Sequence, residues 1–166
     1  MSRDVVLRTA RLVLRAFRVA DVADALAYRN DPEFARFLRH IPQPFTREDA
    51  EAFVHVNMTE PWETLPTFAV VLDERVIGTV NFNIDRSMRR AMLGYAIARA
   101  HWGRGIALEA ARAAIDWVVT EHDLTEIWAS TDPAHRQSRR VLEKLGMTLE
   151  REEDEVFYGL RLPERN

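Results

Sequence analysis

The chain contains no cysteine among its 166 residues. It therefore has no disulfide, no cysteine nucleophile and no cysteine-ligated metal site. No apolar run approaches the roughly 18–20 residues that span a membrane. The N-terminal stretch carries charges throughout and has no apolar core, which argues against a signal peptide. These absences predict a cytoplasmic protein that does not insert into a membrane.

An excess of positive charge is also missing. The formal net charge is −3 at pH 7, which disfavours a general nucleic-acid-binding protein. Hydrophobic residues make up 47% of the chain, enough for a substantial core, and the 30% of charged residues are mixed in sign, which disfavours disorder. The length suits one domain, and no repeat or linker interrupts the chain. We therefore predict a single domain over residues 1–166.

The pattern of apolar residues predicts a mixed α/β (α+β) protein. Helical spacing follows Asp21, Thr46, Gly105 and His135, and Gly146 is placed to end the last of these helices. A short helix and loop are expected over 34–45. Alternating or β-branched runs predict strands at 11–15, 68–72, 75–82, 92–97, 127–130, 148–152 and 156–162. Strands clustered in mid-chain and followed by a β-α-β unit favour a mixed sheet with helices on both faces.

One segment, Trp102 to Ala107, combines two glycines with the first turn of a long helix. Glycines let the backbone approach a ligand closely, and the unpaired N–H groups of a helix N-terminus suit a phosphate or pyrophosphate. Arg104 and Arg99 add positive charge. The alternative is a tight loop whose glycines serve only the turn. The segment matches neither the P-loop nor the dinucleotide-binding pattern.

A second segment, 132–147, follows a strand and opens a helix that is rich in arginine. Arg136, Arg139 and Arg140 are suited to bind a phosphate. The alternative is an ordinary solvated helix face.

Together these stretches resemble the GNAT acetyltransferase superfamily, and most of all its RimJ/RimL-like branch, over nearly the whole chain. Five stretches carry the resemblance in the same order: 9–15, 28–33, 94–110, 138–147 and 154–158. The resemblance implies a GNAT-like acyl-CoA N-acyltransferase fold, in which a splayed central sheet is flanked by helices. It also implies an N-acetyltransferase that moves acetyl from acetyl-CoA to a primary amine by direct attack on the thioester. The acceptor would be a protein N-terminal α-amine or a small-molecule amine.

The resemblance also implies a set of site residues. Backbone groups near Ile97, Ala98 and Arg99 would bind the pantetheine arm of the coenzyme. The amides of four residues would hold its pyrophosphate, namely Arg104, Gly105, Ile106 and Ala107. Acetyl-CoA would be the co-substrate, no metal is expected, and a homodimer is the state frequent among similar proteins.

Two residues are the catalytic candidates, and both would also contact the coenzyme. Ser138 stands where the family reaches the sulfur of the coenzyme, so we expect it to protonate or hydrogen bond the departing thiolate. His135 replaces an asparagine that is usual in the family and is an alternative general base, although a structural or coenzyme-contacting role is also open. Met92 replaces an acidic residue that is often found there, which removes one candidate base.

The acceptor side is less defined. An acidic cluster precedes the last strand and is suited to attract an ammonium group: Glu150, Glu152, Glu153, Asp154 and Glu155. Four residues are candidates to line the acceptor pocket: Tyr28, Phe37, His40 and Trp62. Trp117 and Trp128 are predicted to lie in the core. Two other functions stay open, a catalytically silent acyl-CoA-binding or sensing domain and a nucleotide-binding or structural α/β domain.

Overall fold

A computed structural model describes residues 3–166, so that Met1 and Ser2 of the predicted 1–166 domain and N-terminal stretch lie outside the described range. The described residues form one eight-stranded sheet in the order β1-β2-β3-β4-β5-β6-β8-β7. The strands are β1 (Val6–Arg8), β2 (Val13–Arg15), β3 (Thr67–Leu72), β4 (Arg75–Asp85), β5 (Arg90–Ile97), β6 (Glu126–Thr131), β7 (Thr148–Glu152) and β8 (Val156–Arg161). The helices are α1 (Val22–Arg29), α2 (Pro32–Ala35), α3 (Arg47–Thr59), α4 (Ile106–Glu121) and α5 (Arg136–Lys144). This architecture confirms the predicted mixed sheet with flanking helices.

The predicted start of α3 and end of α5 are confirmed by their local chemistry. Thr46 accepts a hydrogen bond from the Asp49 amide at 3.2 Å, and the Asp49 carboxylate accepts the Thr46 amide at 2.9 Å. This reciprocal pair satisfies two amides that a helix N-terminus leaves free. Gly146 follows α5 with φ of +88°, the left-handed conformation that glycine adopts without strain.

The predicted cap of α1 is wrong in its detail. Asp21 makes no side-chain hydrogen bond to the first turn of α1. Its carboxylate instead accepts the Arg18 amide at 2.8 Å and the guanidinium of Arg15 at 2.8 Å. Asp21 therefore closes a short 3-10 turn before the helix, because a buried carboxylate gains most from a cation and an amide together.

One short strand was not anticipated from the sequence, and one short helix lies earlier than expected. Strand β1 has only three residues, of which two are exposed, and it pairs with β2 at the sheet edge. Helix α2 (Pro32–Ala35) overlaps the short helix expected within 34–45 by two residues, and it follows its N-cap Asp31, whose side chain accepts the Glu33 amide at 3.0 Å. Elements this short carry too few apolar positions to show a period.

The core lies between the sheet and its helices, and it contains two predicted pocket residues, Trp62 and Tyr28. Trp62 is only 1% exposed and packs edge-to-face on Phe68 at 4.9 Å and on Trp117 at 5.9 Å. The prediction that Trp62 lines the acceptor pocket is therefore wrong, whereas the buried position of Trp117 is confirmed. Trp128 is only half-buried, against Phe157, which corrects its predicted place in the core. Within residues 3–166, no helix is long and apolar enough to cross a membrane.

The neighbouring strands β5 and β6 position the site. They are the one parallel pair among the described strands, and their register extends only from Arg90–Glu126 to Met92–Trp128. Beyond Met92 the two strands separate, while β5 stays paired with β4 as far as Ile97. A wedge-shaped gap therefore opens in the middle of the sheet.

Candidate active site

The gap between β5 and β6 exposes main-chain groups. The Ala98 amide donates to the Ile77 carbonyl on the β4 side at 2.7 Å. Hydrogen-bonding directions alternate along a strand, so the amides of Ile97 and Tyr95 point the other way, into the gap. The Ile97 carbonyl accepts the indole N–H of Trp102 at 2.6 Å. The N–H groups of Ile97 and Tyr95 are thus placed to meet a ligand between the strands.

A cleft of about 360 Å³ runs from this gap to the start of α4. It brings together six of the nine coenzyme-binding residues expected from the sequence: Ile97, Gly105, Ile106, Ala107, His135 and Ser138. The other three expected residues do not form its wall. The Arg99 guanidinium lies 2.9 Å from Asp31, the Arg104 guanidinium lies 3.1 Å from the His101 ring, and both polar main-chain atoms of Ala98 have main-chain partners.

The turn before α4 has the geometry of an anion site. Gly103 and Gly105 have φ of +71° and +74°, values that a side chain makes costly. Gly105 is the N-cap of α4 and offers no side-chain acceptor to the first turn. The amides at the start of a helix have no partner within it and carry a partial positive charge. An anion in the cleft can therefore bind to main-chain N–H groups.

A clamp from the start of the chain holds this turn, and it was not foreseen from the sequence. The Glu109 carboxylate accepts the Thr9 hydroxyl at 2.5 Å and Arg11 Nε at 2.8 Å. Arg11 Nη1 also donates to the Arg104 carbonyl at 2.9 Å. Burial alone would raise the pKa of Glu109, but the hydrogen bonds from Thr9 and Arg11 outweigh it and lower that pKa.. Since these residues lie 98 to 100 positions apart, no local pattern links them.

A second and larger cavity, of about 730 Å³, is lined by the separated ends of both strands, from Leu93 to Ala96 on β5 and from Ala129 to Thr131 on β6. The two cavities share five wall residues, namely Leu38, Tyr95, Ala96, His135 and Ser138. A reaction between two ligands, one in each cavity, would therefore take place beside Tyr95 and Ser138.

Tyr95 and Ser138 form a hydrogen-bonded pair at this junction. The Tyr95 hydroxyl donates to the Ser138 carbonyl at 3.0 Å, and the Ser138 hydroxyl lies 3.0 Å from the same phenol oxygen. Burial raises the pKa of Tyr95 to about 12, against a smaller opposing effect of the Ser138 hydrogen bond. Tyr95 therefore keeps its proton near neutral pH and serves as a hydrogen-bond donor. No role for Tyr95 was expected from the sequence, although this residue lies in the stretch 94–110 that carries the family resemblance.

His135 is the N-cap of α5. Its Nδ1 accepts the Ser138 amide in a long hydrogen bond of 3.5 Å, and its ring stacks on Phe37 at 4.4 Å. Burial lowers the pKa of His135, and Arg36 lowers it further, against an opposing effect of Asp132. A neutral imidazole can accept the capping hydrogen bond that an asparagine side chain would accept. The histidine thus retains the capping role and faces both cavities.

The larger cavity includes some of the predicted acceptor-side residues. Phe37 and His40 line it, and so do Asp154 and Glu155 from the acidic cluster. Tyr28 is buried in the core and is absent from the described wall, as is Trp62. The remaining acidic residues, Glu150, Glu152 and Glu153, are outside this wall as well. Among residues 3–166, no group of three or more His, Asp or Glu side chains is placed to hold a metal ion.

A splayed parallel pair of strands beside a helix N-terminus, with two cavities meeting at the gap, defines an acyltransferase-type fold. The model of the acetyltransferase (GNAT) domain family matches residues 11–148 of the chain. The protein therefore belongs to the GNAT acetyltransferase family. This confirms the enzyme class predicted from the sequence, an acetyl-CoA-dependent N-acetyltransferase.

Named proteins with similar sequences or folds agree with this assignment. An uncharacterized N-acetyltransferase p20 of Bacillus licheniformis is 31% identical over 147 residues, which cover 87% of this chain and 83% of that protein. A GNAT-family acetyltransferase structure from Bacillus anthracis has a TM-score of 0.83 and 25% identity, covering 95% of this chain and 98% of that one. A structure of RimL, a ribosomal L7/L12 α-N-protein acetyltransferase in complex with coenzyme A, shares the fold with a TM-score of 0.83, 17% identity and coverage of 95% and 98%.

Proposed function

We propose that this protein transfers the acetyl group of acetyl-CoA to a primary amine, which is a protein N-terminal α-amine or a small-molecule amine. The observation that carries the proposal is the meeting of two cavities at Tyr95 and Ser138, beside the open edge of β5. The smaller cleft suits the coenzyme and the larger cavity suits the acceptor.

The smaller cleft fits the coenzyme through main-chain groups. The amides of Gly105, Ile106 and Ala107 in its wall, with the amide of the adjacent Arg104, would hold the pyrophosphate, because helix N-termini bind such groups. The open edge of β5 at Ile97 would bind the pantetheine arm. RimL, which shares this fold, binds coenzyme A, and this supports the proposal that the fold accommodates the coenzyme.

The residues at the junction suit a direct transfer. The neutral amine attacks the thioester carbonyl, a C–N bond forms, the C–S bond breaks, and the amine proton passes to the thiolate. The Ile97 N–H faces the gap where the carbonyl oxygen becomes negative, and such donors stabilise the transition state. To hydrogen bond the departing sulfur, the hydroxyls of Ser138 and Tyr95 would turn from their present hydrogen bonds with each other and with the Ser138 carbonyl. His135, whose pKa is lowered, is neutral near pH 7 and is our candidate to take the amine proton at Nδ1, in exchange for the long 3.5 Å hydrogen bond from the Ser138 amide.

Free-thiol release from acetyl-CoA tests the proposal across a panel of amines, with calorimetry of coenzyme binding in parallel. We expect turnover that depends on both the enzyme and the amine. Binding of acetyl-CoA without turnover on any amine would favour the silent acyl-CoA-binding or sensing domain. An absence of binding would remove both functions.

A further inference from the structure

Arg29 is a buried cation in the wall of the larger cavity. It is the last residue of α1, and only 7% of it is exposed. Its Nε atom is buried without a hydrogen-bond partner. Among the carboxylates of residues 3–166, none forms an ion pair with it. A buried charge without a partner is costly, so an unpaired guanidinium at a cavity calls for an explanation.

The other buried charges of the described chain are paired. Asp21 and Glu126 are each 4% exposed, as buried as Arg29. Asp21 lies 2.8 Å from the Arg15 guanidinium, and Glu126 lies 2.7 Å from that of Arg90. Arg29 is thus the exception to a rule that the rest of this fold follows. We take the difference as a sign that its counter-ion arrives with a ligand.

The surroundings of Arg29 hold the guanidinium without neutralising it. Its central carbon lies 3.8 Å from the Phe53 ring centroid, 5.3 Å from that of Phe45 and 6.0 Å from that of Phe34. Stacking on aromatic faces orients an arginine and leaves its N–H groups free to donate. Burial lowers the pKa of Arg29, and the adjacent Tyr28 hydroxyl only partly offsets this.

The same cavity carries the opposite charge in another part of its wall. Asp132, Asp154 and Glu155 line it together with Arg29. The Asp132 carboxylate accepts the Ala134 amide at 2.8 Å and makes a long ion pair with the exposed Arg39, at 3.6 Å. A ligand with a cationic amine and an anionic group would find a counter-charge for each in this one cavity.

We propose that Arg29 binds a carboxylate of the acceptor, so that the substrate is an amine that carries a carboxylate, such as an amino acid or a short peptide. The proposal rests on the proposed acetyl transfer. A planar guanidinium pairs with a carboxylate through two parallel N–H donors. Arg39 also lines this cavity, but it is exposed and pairs with Asp132, so Arg29 is the one buried cation of the described wall, and it balances one carboxylate, whereas a phosphate carries up to two charges. The neighbouring His40 does not add a second cation, because burial and the charge of Arg29 lower its pKa.

Matched acceptors test this specificity. Thiol release is measured for amino acids and dipeptides, for their carboxamide counterparts and for aminophosphonate analogues. We expect wild-type kcat/KM to favour the carboxylates about 10-fold or more, the order expected for a charged hydrogen bond. In Arg29→Gln this preference should fall to within about threefold, with the loss on carboxylates and little change on amides. Arg29→Lys keeps the positive charge but loses the two parallel N–H donors of the guanidinium. Its preference for carboxylates should lie between that of the wild type and that of Arg29→Gln.

The controls separate specificity from folding and from the coenzyme site. Arg47→Gln removes an exposed arginine that pairs with Glu51 on α3, and it should leave the preference unchanged. Acetyl-CoA affinity of Arg29→Gln should match wild type. If that variant does not fold, competitive inhibition of the wild type by simple carboxylates, compared with their amides, decides the question.

Three outcomes would overturn the role of Arg29: equal rates on carboxylates and amides, a preference for phosphonates, or equal losses on both acceptor types in Arg29→Gln. Each of these requires turnover and therefore leaves acetyl transfer intact. Failure of acetyl transfer itself is distinct, since no acceptor of either type would then release thiol.

Discussion

The two cavities of this enzyme present different chemical groups to a ligand. The cleft beside α4 presents main-chain amides from one continuous turn and from the open edge of β5. The larger cavity presents side chains from α1, α3, β4, β5, β6 and the loops between them. Main-chain donors are the same whatever the residue type, whereas side chains change with every substitution. We therefore expect the proposed coenzyme side to depend on backbone shape and the proposed acceptor side to depend on residue identity.

We expect the greatest change in acetyl-CoA affinity from a substitution that distorts the glycine turn before α4. Gly105→Val places a β-branched residue at φ of +74°, which is strongly disfavoured. We expect acetyl-CoA affinity to fall about 10- to 100-fold, since the amides of the turn would be displaced. Calorimetric titration with acetyl-CoA measures this loss of affinity.

Gly146→Val is the matched control, because Gly146 has a φ of +88° and lies outside the cleft wall. Both variants should lower the Tm, but only Gly105→Val should lower the affinity. Equal affinity losses in the two variants would contradict the role of the turn.

The next effect concerns the junction of the two cavities. Tyr95→Phe and Ser138→Ala should each lower kcat about 10- to 100-fold, because each removes a hydroxyl from the departing sulfur. The Kd of acetyl-CoA should change less than kcat. Steady-state kinetics at saturating acetyl-CoA gives kcat, and calorimetry gives the Kd of acetyl-CoA.

The effects of Tyr95→Phe and Ser138→Ala on kcat should also be coupled. The two hydroxyl oxygens lie 3.0 Å apart, so the double variant should lose less than the product of the single losses. An unchanged kcat in Ser138→Ala would remove that residue from the mechanism.

A smaller effect tests the clamp that holds the coenzyme turn from a distance. Glu109→Gln weakens the charged hydrogen bonds from Thr9 and Arg11, so we expect acetyl-CoA to bind about 3- to 10-fold more weakly. The change is modest because Arg11 is partly exposed to solvent. Glu51→Gln, at an exposed ion pair on α3, is the control and should leave the Kd unchanged. A Glu109→Gln variant with wild-type affinity would show that the turn holds its shape unaided.

The smallest effect concerns the cap of α5. The pKa of His135 is lowered in the folded state, so the unfolded chain binds a proton at higher pH than the folded protein. The stability that the neutral ring contributes is present above about pH 6.5 and is lost as pH falls below it. His135→Asn has no such titration. The Tm of wild type should therefore drop relative to the variant by about 1–3 °C between pH 7.5 and pH 5.5.

His40 and His122 also have lowered pKa values, but they titrate in both proteins and cancel in the difference. Thermal scans of the two proteins across this pH range make the comparison. If the Tm of the two proteins changed in parallel with pH, protonation of His135 would not affect the cap of α5.

Much of the fold follows from local patterns. The mid-chain strands, the long helix after Gly105 and the capping box at Thr46 were all predictable, because each depends on residues within a few positions of one another. The three-residue strand β1 was missed because so short a segment shows no period. Asp21 was misassigned because its partner Arg15 competes with the helix amides for the same carboxylate.

In the candidate site, too, the features formed by one local segment were predictable and those formed by distant segments were not. The glycine turn before α4 was expected as an anion site from its own six residues, and six of the nine expected coenzyme contacts line one cleft. The pairing of Tyr95 with Ser138 spans 43 positions and was not anticipated. Trp62 was expected at the acceptor pocket but lies in the core, since its aromatic partners come from β3 and α4.

The sequence was enough to predict most of the helices and strands, an anion site at the glycine turn before α4 and, through resemblance, the family of the protein. The elements and the turn were predictable because they depend on steric and hydrogen-bonding preferences of neighbouring residues. The tertiary structure alone decided where β5 and β6 separate, which hydroxyls meet at the gap and which buried charge lacks a partner. Such features depend on contacts between distant segments, and only the folded chain brings those segments within hydrogen-bonding distance.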